Sequence, residues 1–95
     1  MSFSIIATIH VKEGKMEEAK EALKELVPKV KASEPGLLAY IPHTVKDQEN
    51  TIIWYEKYKD GDAMTLHMAN IRKNMEKLSP LLDRGMDVKT LFEIV

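Results

Sequence analysis

Apolar and polar residues alternate from Phe3 to Val11, and the β-branched Ile5, Ile6, Thr8, Ile9 and Val11 make this a strand. Phe3, Ile5, Ala7, Ile9 and Val11 share one face; Ser4, Ile6, Thr8 and His10 share the other. After a turn at Lys12-Glu13-Gly14 the period changes. Met16, Ala19, Leu23, Leu26 and Val30 recur at three- and four-residue steps, which predicts a helix from Lys15. Its opposite face alternates in sign through Glu17, Lys20, Glu21 and Lys24 and reads as solvated. Pro28 is expected to kink this helix, and Glu34-Pro35-Gly36 to end it. Leu37 to Pro42 is a second strand, Thr44 to Asn50 a polar hairpin connection, and Thr51 to Tyr58 a third strand. Asp60 suits a helix N-cap, with the helix running to about Ala69. A second helix follows over Asn70 to Leu78, with Ile71, Met75 and Leu78 inward. Ser79-Pro80 interrupts and can start one more turn through Leu82; Arg84-Gly85 is a stop, and Met86 to Val95 a fourth strand.

Strand, helix, strand, strand, helices, strand is the order of a ferredoxin-like α+β fold. A four-stranded antiparallel sheet then carries its helices on one face. Apolar residues occur on both faces of the first, second and fourth strands, so the open face needs a cover. A homodimer packed sheet to sheet is the expected cover. Residues 1–95 are enough for one small domain.

Composition narrows the function classes. A net charge of −1 with interleaved signs leaves no footprint for nucleic acid. Without cysteine there is no disulfide framework, thiol nucleophile or thiolate metal site. Met1-Ser2-Phe3-Ser4 has neither a basic region nor a long apolar core, so no signal peptide or membrane role is expected and the cytoplasm is the default.

The chemistry gathers between Trp54 and His67. Alternation puts Ile52, Trp54, Glu56 and Tyr58 on one strand face, and a glutamate beside isoleucine and tryptophan implies a cavity or a partner. His67, two turns into the next helix, can reach back toward Glu56. The pair reads as catalytic, imidazole taking a proton while carboxylate orients the ring, or as a hydrogen bond tying helix to sheet. Trp54 and Tyr58 can stack on a flat ligand or simply pack; Met64 and Met68 suit an irregular pocket wall or an adaptable core. Tyr40 can donate a hydrogen bond to a substrate carbonyl or simply reach water at the sheet edge, and the second is expected. Arg72 reads as a solvated helix residue, and His10 and His43 as surface or dimer contacts. With histidines dispersed one per element, no metal site is expected.

Several pieces, in order, resemble the antibiotic biosynthesis monooxygenase family. They are Val11-Lys12-Glu13-Gly14-Lys15, Glu34-Pro35-Gly36-Leu37-Leu38-Ala39-Tyr40, Trp54-Tyr55-Glu56-Lys57-Tyr58-Lys59-Asp60 with Ala63 and His67, and Leu78-Ser79-Pro80-Leu81-Leu82. The resemblance implies a dimeric α+β barrel with a pocket between sheet and helices in each subunit. It also implies oxidation of phenolic or quinol-type aromatics by O₂ without metal or flavin, so no cofactor is expected. Haem-degrading relatives use an asparagine near Ala7 or Thr8 and a tryptophan near His67, and this chain has neither. Many members carry a second histidine where Arg72 stands. The expected function is a cofactor-independent monooxygenase with His67 and Glu56 catalytic and Trp54, Tyr58, Met64 and Met68 against the substrate. The alternatives are a non-catalytic dimeric small-ligand-binding or stress-response module, using the same pocket for a small apolar ligand, and an isomerase using the same acid–base pair.

Overall fold

A computed structural model describes residues 1–95. Its elements are β1 (Phe3–Val11), α1 (Met16–Ser33), β2 (Leu37–Val45), β3 (Gln48–Tyr58), α2 (Gly61–Asn74), a 3₁₀ turn (Ser79–Leu81) and β4 (Leu82–Leu91). The four strands form one antiparallel sheet in the order β2-β3-β1-β4, and both helices pack on one face, giving the ferredoxin-like α+β arrangement. No helix is long and apolar enough to cross a membrane.

β1 carries the core because its alternation is the cleanest. Ile5, Ala7, Ile9 and Val11 are buried under the helices, and α1 meets them with Ala19, Leu23, Leu26 and Val30, all buried. The 3.6-residue period puts these four on one stripe, while Lys20–Glu17 and Lys24–Glu21 pair across the exposed face. Pro28 does not end the helix, which runs on to Ser33. The proline is exposed, so the carbonyl it leaves without a partner faces water.

Three stretches differ from the sequence reading. β2 and β3 extend through the polar segment 44–50 to a two-residue turn at Lys46-Asp47, where Val45 opposes Gln48. Asp47 adopts φ 65°, which aspartate tolerates better than most residues. α2 continues through Asn70 to Asn74 as one helix. β4 starts at Leu82 rather than Met86 and ends at Leu91, leaving Phe92, Glu93, Ile94 and Val95 outside the sheet. Gly85 does not stop this strand. Leu82 opposes Val11 and Met86 opposes Ile9, so β4 carries extra residues there, and Gly85 at φ 91° takes up the bulge.

On the face away from the helices, Ile6, Ile53 and Tyr55 are half-buried, and Ile41 and Leu91 are exposed.

Candidate active site

The third strand ends at Tyr58 and the chain turns straight into α2. Asp60 caps that helix by accepting the Ala63 N–H at 2.9 Å, and Asp62 adds negative charge to its first turn. Gly36 makes the close approach possible: a Cβ built there would sit 2.7 Å from Cβ of Ala63. With the start of α2 held against the α1–β2 junction, His67 lands over the sheet and is 4% exposed.

A cavity of about 510 Å³ lies between sheet and α2. Ile5, Ala7 and Ile9 of β1 and Trp54, Glu56 and Tyr58 of β3 form its floor, and α2 covers it with Met64, His67, Met68 and Ile71. Every residue expected at the site, His67, Glu56, Trp54, Tyr58, Met64 and Met68, borders this one space. They are not equally enclosed: Trp54 and Tyr58 are buried, whereas Met68 is 45% exposed.

His67 Nε2 stands 3.8 Å from Glu56 Oε1, close enough for charge to be felt and too far for a hydrogen bond. The hydrogen bond to the ring comes from the other side, where Nδ1 meets Glu34 Oε1 at 2.9 Å. Glu34 is itself 2% exposed, and its second oxygen accepts from Asn70 Nδ2 at 2.8 Å. Two tyrosines flank the imidazole. Tyr40 presents an edge-to-face contact at 5.0 Å between ring centroids, and Tyr58 a tilted one at 5.5 Å.

Tyr40 is not at the sheet edge in contact with water. It is buried and stacks on Trp54, with centroids 4.3 Å apart, because β2 pairs Tyr40 with Glu56 and turns its ring toward the helices. One side of the Trp54 indole is therefore already covered by protein. His10 and His43 are exposed on the strands and Arg72 on α2, and none of the three borders the cavity. No group of three or more His, Cys, Asp or Glu side chains is placed to hold a metal ion.

Glu34 is the site residue that the sequence reading missed, because Glu34-Pro35-Gly36 was read only as a stop. A signal for it exists. The buried stripe of α1 at positions 19, 23, 26 and 30 continues at 34, so a glutamate there must be buried and therefore paired.

Burial raises the Glu56 carboxyl above its ordinary range, although the Tyr58 hydroxyl donating to Oε1 and the nearby His67 pull it back, and Glu34 adds to the rise. Burial, followed by the hydrogen bond to Glu56, pushes the Tyr58 phenol well up, and burial does the same to Tyr40. Because the folded protein then holds the Glu56 proton more tightly than the unfolded chain, the stability it contributes falls as pH rises through the window above the ordinary glutamate range. Glu56→Gln keeps an acceptor for Tyr58 and removes the buried charge. Thermal melts are expected to show this variant above the parent at neutral pH, with the gain lost at pH values below the ordinary glutamate range. An equal gain at both pH values would contradict this assignment.

The family model described as antibiotic biosynthesis monooxygenase matches residues 2–71. A candidate antibiotic biosynthesis monooxygenase from Caulobacter crescentus superposes with a TM-score of 0.89 at 25% identity, over 99% of this chain and 91% of that one. A Shewanella oneidensis protein gives 0.78 at 27% identity, over 94% and 87%. A further candidate monooxygenase, from Nitrosomonas europaea, gives 0.85 at 19% identity over 98% and 90%, and shows the shared fold. No functionally curated protein matches the chain. With the family model covering most of the sequence and these structures covering nearly all of it, the chain belongs to the antibiotic biosynthesis monooxygenase family.

Proposed function

We propose that this protein is a monooxygenase acting on a phenolic or quinol-type aromatic held in the cavity over β1 and β3. Family membership supports oxygen chemistry in general terms; the phenolic or quinol-type substrate is what the family resemblance implies, and a mainly apolar cavity beside a buried imidazole suits such a ring. The observation that carries it is the position of His67, buried, with Nε2 at the wall of a mainly apolar cavity and no protein hydrogen bond on that nitrogen.

In this reading Nε2 takes the phenol proton, and Glu56, 3.8 Å away, stabilises the imidazolium that results. The electron-rich anion passes one electron to O₂, and the two radicals join through a C–O bond as a peroxide. The proton returns from His67 to the terminal oxygen. The attacked ring carbon carries one hydrogen in this anion, having been CH₂ only in the ring-ketone tautomer of the phenol. The peroxide forms on it, and loss of that hydrogen with the terminal OH as water leaves C=O. One oxygen atom is kept, the other leaves as water, and all four electrons come from the substrate. Apolar walls at Ile5, Ala7, Met64 and Ile71 leave few polar groups beside the peroxide on the sheet and helix sides.

The test is O₂ uptake with a panel of hydroquinones and phenols bearing a ring methylene, run beside anaerobic controls. Uptake coupled to product formation is expected. Product formed equally well without O₂ would instead make the same acid–base pair an isomerase. Stabilisation by these compounds without any chemical change would make the protein a binding module.

The same proposal includes pairing of two copies through the open sheet faces. Ile41 and Leu91 lie exposed there beside the half-buried Ile6, Ile53 and Tyr55, a surface that a second sheet would cover. Light scattering is expected to give twice the chain mass at micromolar concentration; a monomer would contradict it.

A further inference from the structure

We propose that Glu34 is the positioning residue of this site, fixing the His67 tautomer whose Nε2 lone pair faces the cavity. Its kinetic consequence rests on the reaction proposed above; the tautomer does not.

The hydrogen-bond network begins at a group with no freedom. The Val30 carbonyl can only accept, and Ser33 Oγ donates to it at 3.1 Å. With its own proton committed, Ser33 Oγ accepts from Asn70 Nδ2 at 3.0 Å. The second hydrogen of that amide goes to Glu34 Oε2 at 2.8 Å. Asn70 Oδ1 in turn lies 3.3 Å from the donating Asn74 Nδ2. Donors and acceptors along the network thus settle which way the Asn70 amide points. Glu34 Oε1 is left for His67 Nδ1 at 2.9 Å, and since a carboxylate only accepts, Nδ1 carries the hydrogen. In the neutral ring Nε2 then holds the lone pair.

Glu34 does not border the cavity, so it reaches a bound molecule only through its neighbours, by its hydrogen bond to His67 and by its charge on Glu56. The other titratable groups around the ring are Tyr40, Tyr58 and Glu56. Neither tyrosine hydrogen-bonds to the imidazole, and Glu56 is too far to do so; Glu34 therefore decides where the proton sits.

Glu34→Gln tests this with almost no change in shape. Asn70 still points an N–H at the position of Oε2, so the new amide must turn its oxygen there and its NH₂ toward Nδ1. Nδ1 then has to accept, the hydrogen moves to Nε2, and the base is lost. A second variant reverses the effect. With Asn70→Asp added to Glu34→Gln, a carboxylate accepts the amide NH₂ and the amide oxygen returns to Nδ1.

Long-range proton–nitrogen correlation spectra of the isotope-labelled protein read the tautomer, and only three histidines need assignment. The parent is expected to show Nδ1 protonated and Nε2 bare, Glu34→Gln the reverse, and the double variant the parent pattern. In O₂-uptake kinetics Glu34→Gln is expected to lower kcat by roughly 10²- to 10⁴-fold, the range for losing a general base, with KM little changed. The double variant is expected to recover most of that loss. A parent with Nε2 protonated, or Glu34→Gln that keeps Nδ1 protonated, overturns the proposal. Inversion of the tautomer without loss of kcat overturns its kinetic part. If the parent turns over none of the phenols, the oxygenase reading fails by itself and the spectra still decide the role of Glu34.

Discussion

His67→Ala is expected to lower turnover by roughly 10²- to 10⁴-fold, the usual contribution of a positioned general base. The same change has a second effect that must be separated from the first. Glu34 is 2% exposed and loses its imidazole partner, leaving Asn70 as its remaining side-chain donor. Removing the partner of a buried hydrogen-bonded group typically costs about 1–3 kcal/mol, and more where the group left behind is charged. A domain of this size has roughly 5–15 kcal/mol in total, so much of the stability is at stake. His67→Gln divides the two effects, because its amide can still donate to Glu34 but cannot act as a base. The Ala variant is expected to lose both activity and melting temperature, and the Gln variant mainly activity. Turnover surviving in folded His67→Gln would remove His67 from the chemistry.

Gly36→Ala is expected to destabilise the protein by about 1–3 kcal/mol, the ordinary cost of forcing a methyl into a filled space. The added Cβ would stand 2.7 Å from Ala63 Cβ and 3.6 Å from Lys59 Cγ. Lys59 can turn aside. Ala63 cannot, because it has no rotamer to change and its N–H is the one that Asp60 caps. Relief therefore requires a shift of the first turn of α2, and His67 lies one turn further along. A displacement of about 1 Å at a catalytic group can cost roughly 10²-fold, so activity should fall more steeply than stability alone explains. Ala63→Gly opens the space, and the double variant is expected to regain melting temperature and turnover together. Simple additivity of the two substitutions would show that the clash is not the cause.

How much of this was legible in the chain depended on whether a residue answers to a period or to a partner. β1 and the stripe of α1 follow from apolar spacing alone and were read with their register intact. The Asp60 cap and the convergence of Glu56 with His67 came from counting residues through one strand and two helical turns. The hairpin at Lys46-Asp47 was hidden because its strands are polar and exposed there, held by backbone pairing that no hydrophobic pattern records. Asn70 looked like a break in α2. Its side chain instead bonds Ser33 and Glu34, so tertiary partners offset its modest helix preference. Gly85 and the Glu34-Pro35-Gly36 junction were both read as punctuation. Gly85 is a bulge inside β4, and Glu34 is the only residue hydrogen-bonded to the imidazole of His67.

Product analysis by mass spectrometry after turnover under isotopically labelled O₂ tests the central claim most directly. One labelled oxygen is expected in the product of the parent protein and the other in water, with product from His67→Gln formed roughly 10²- to 10⁴-fold more slowly. Product carrying only unlabelled oxygen, or formed at the same rate without O₂, would contradict it.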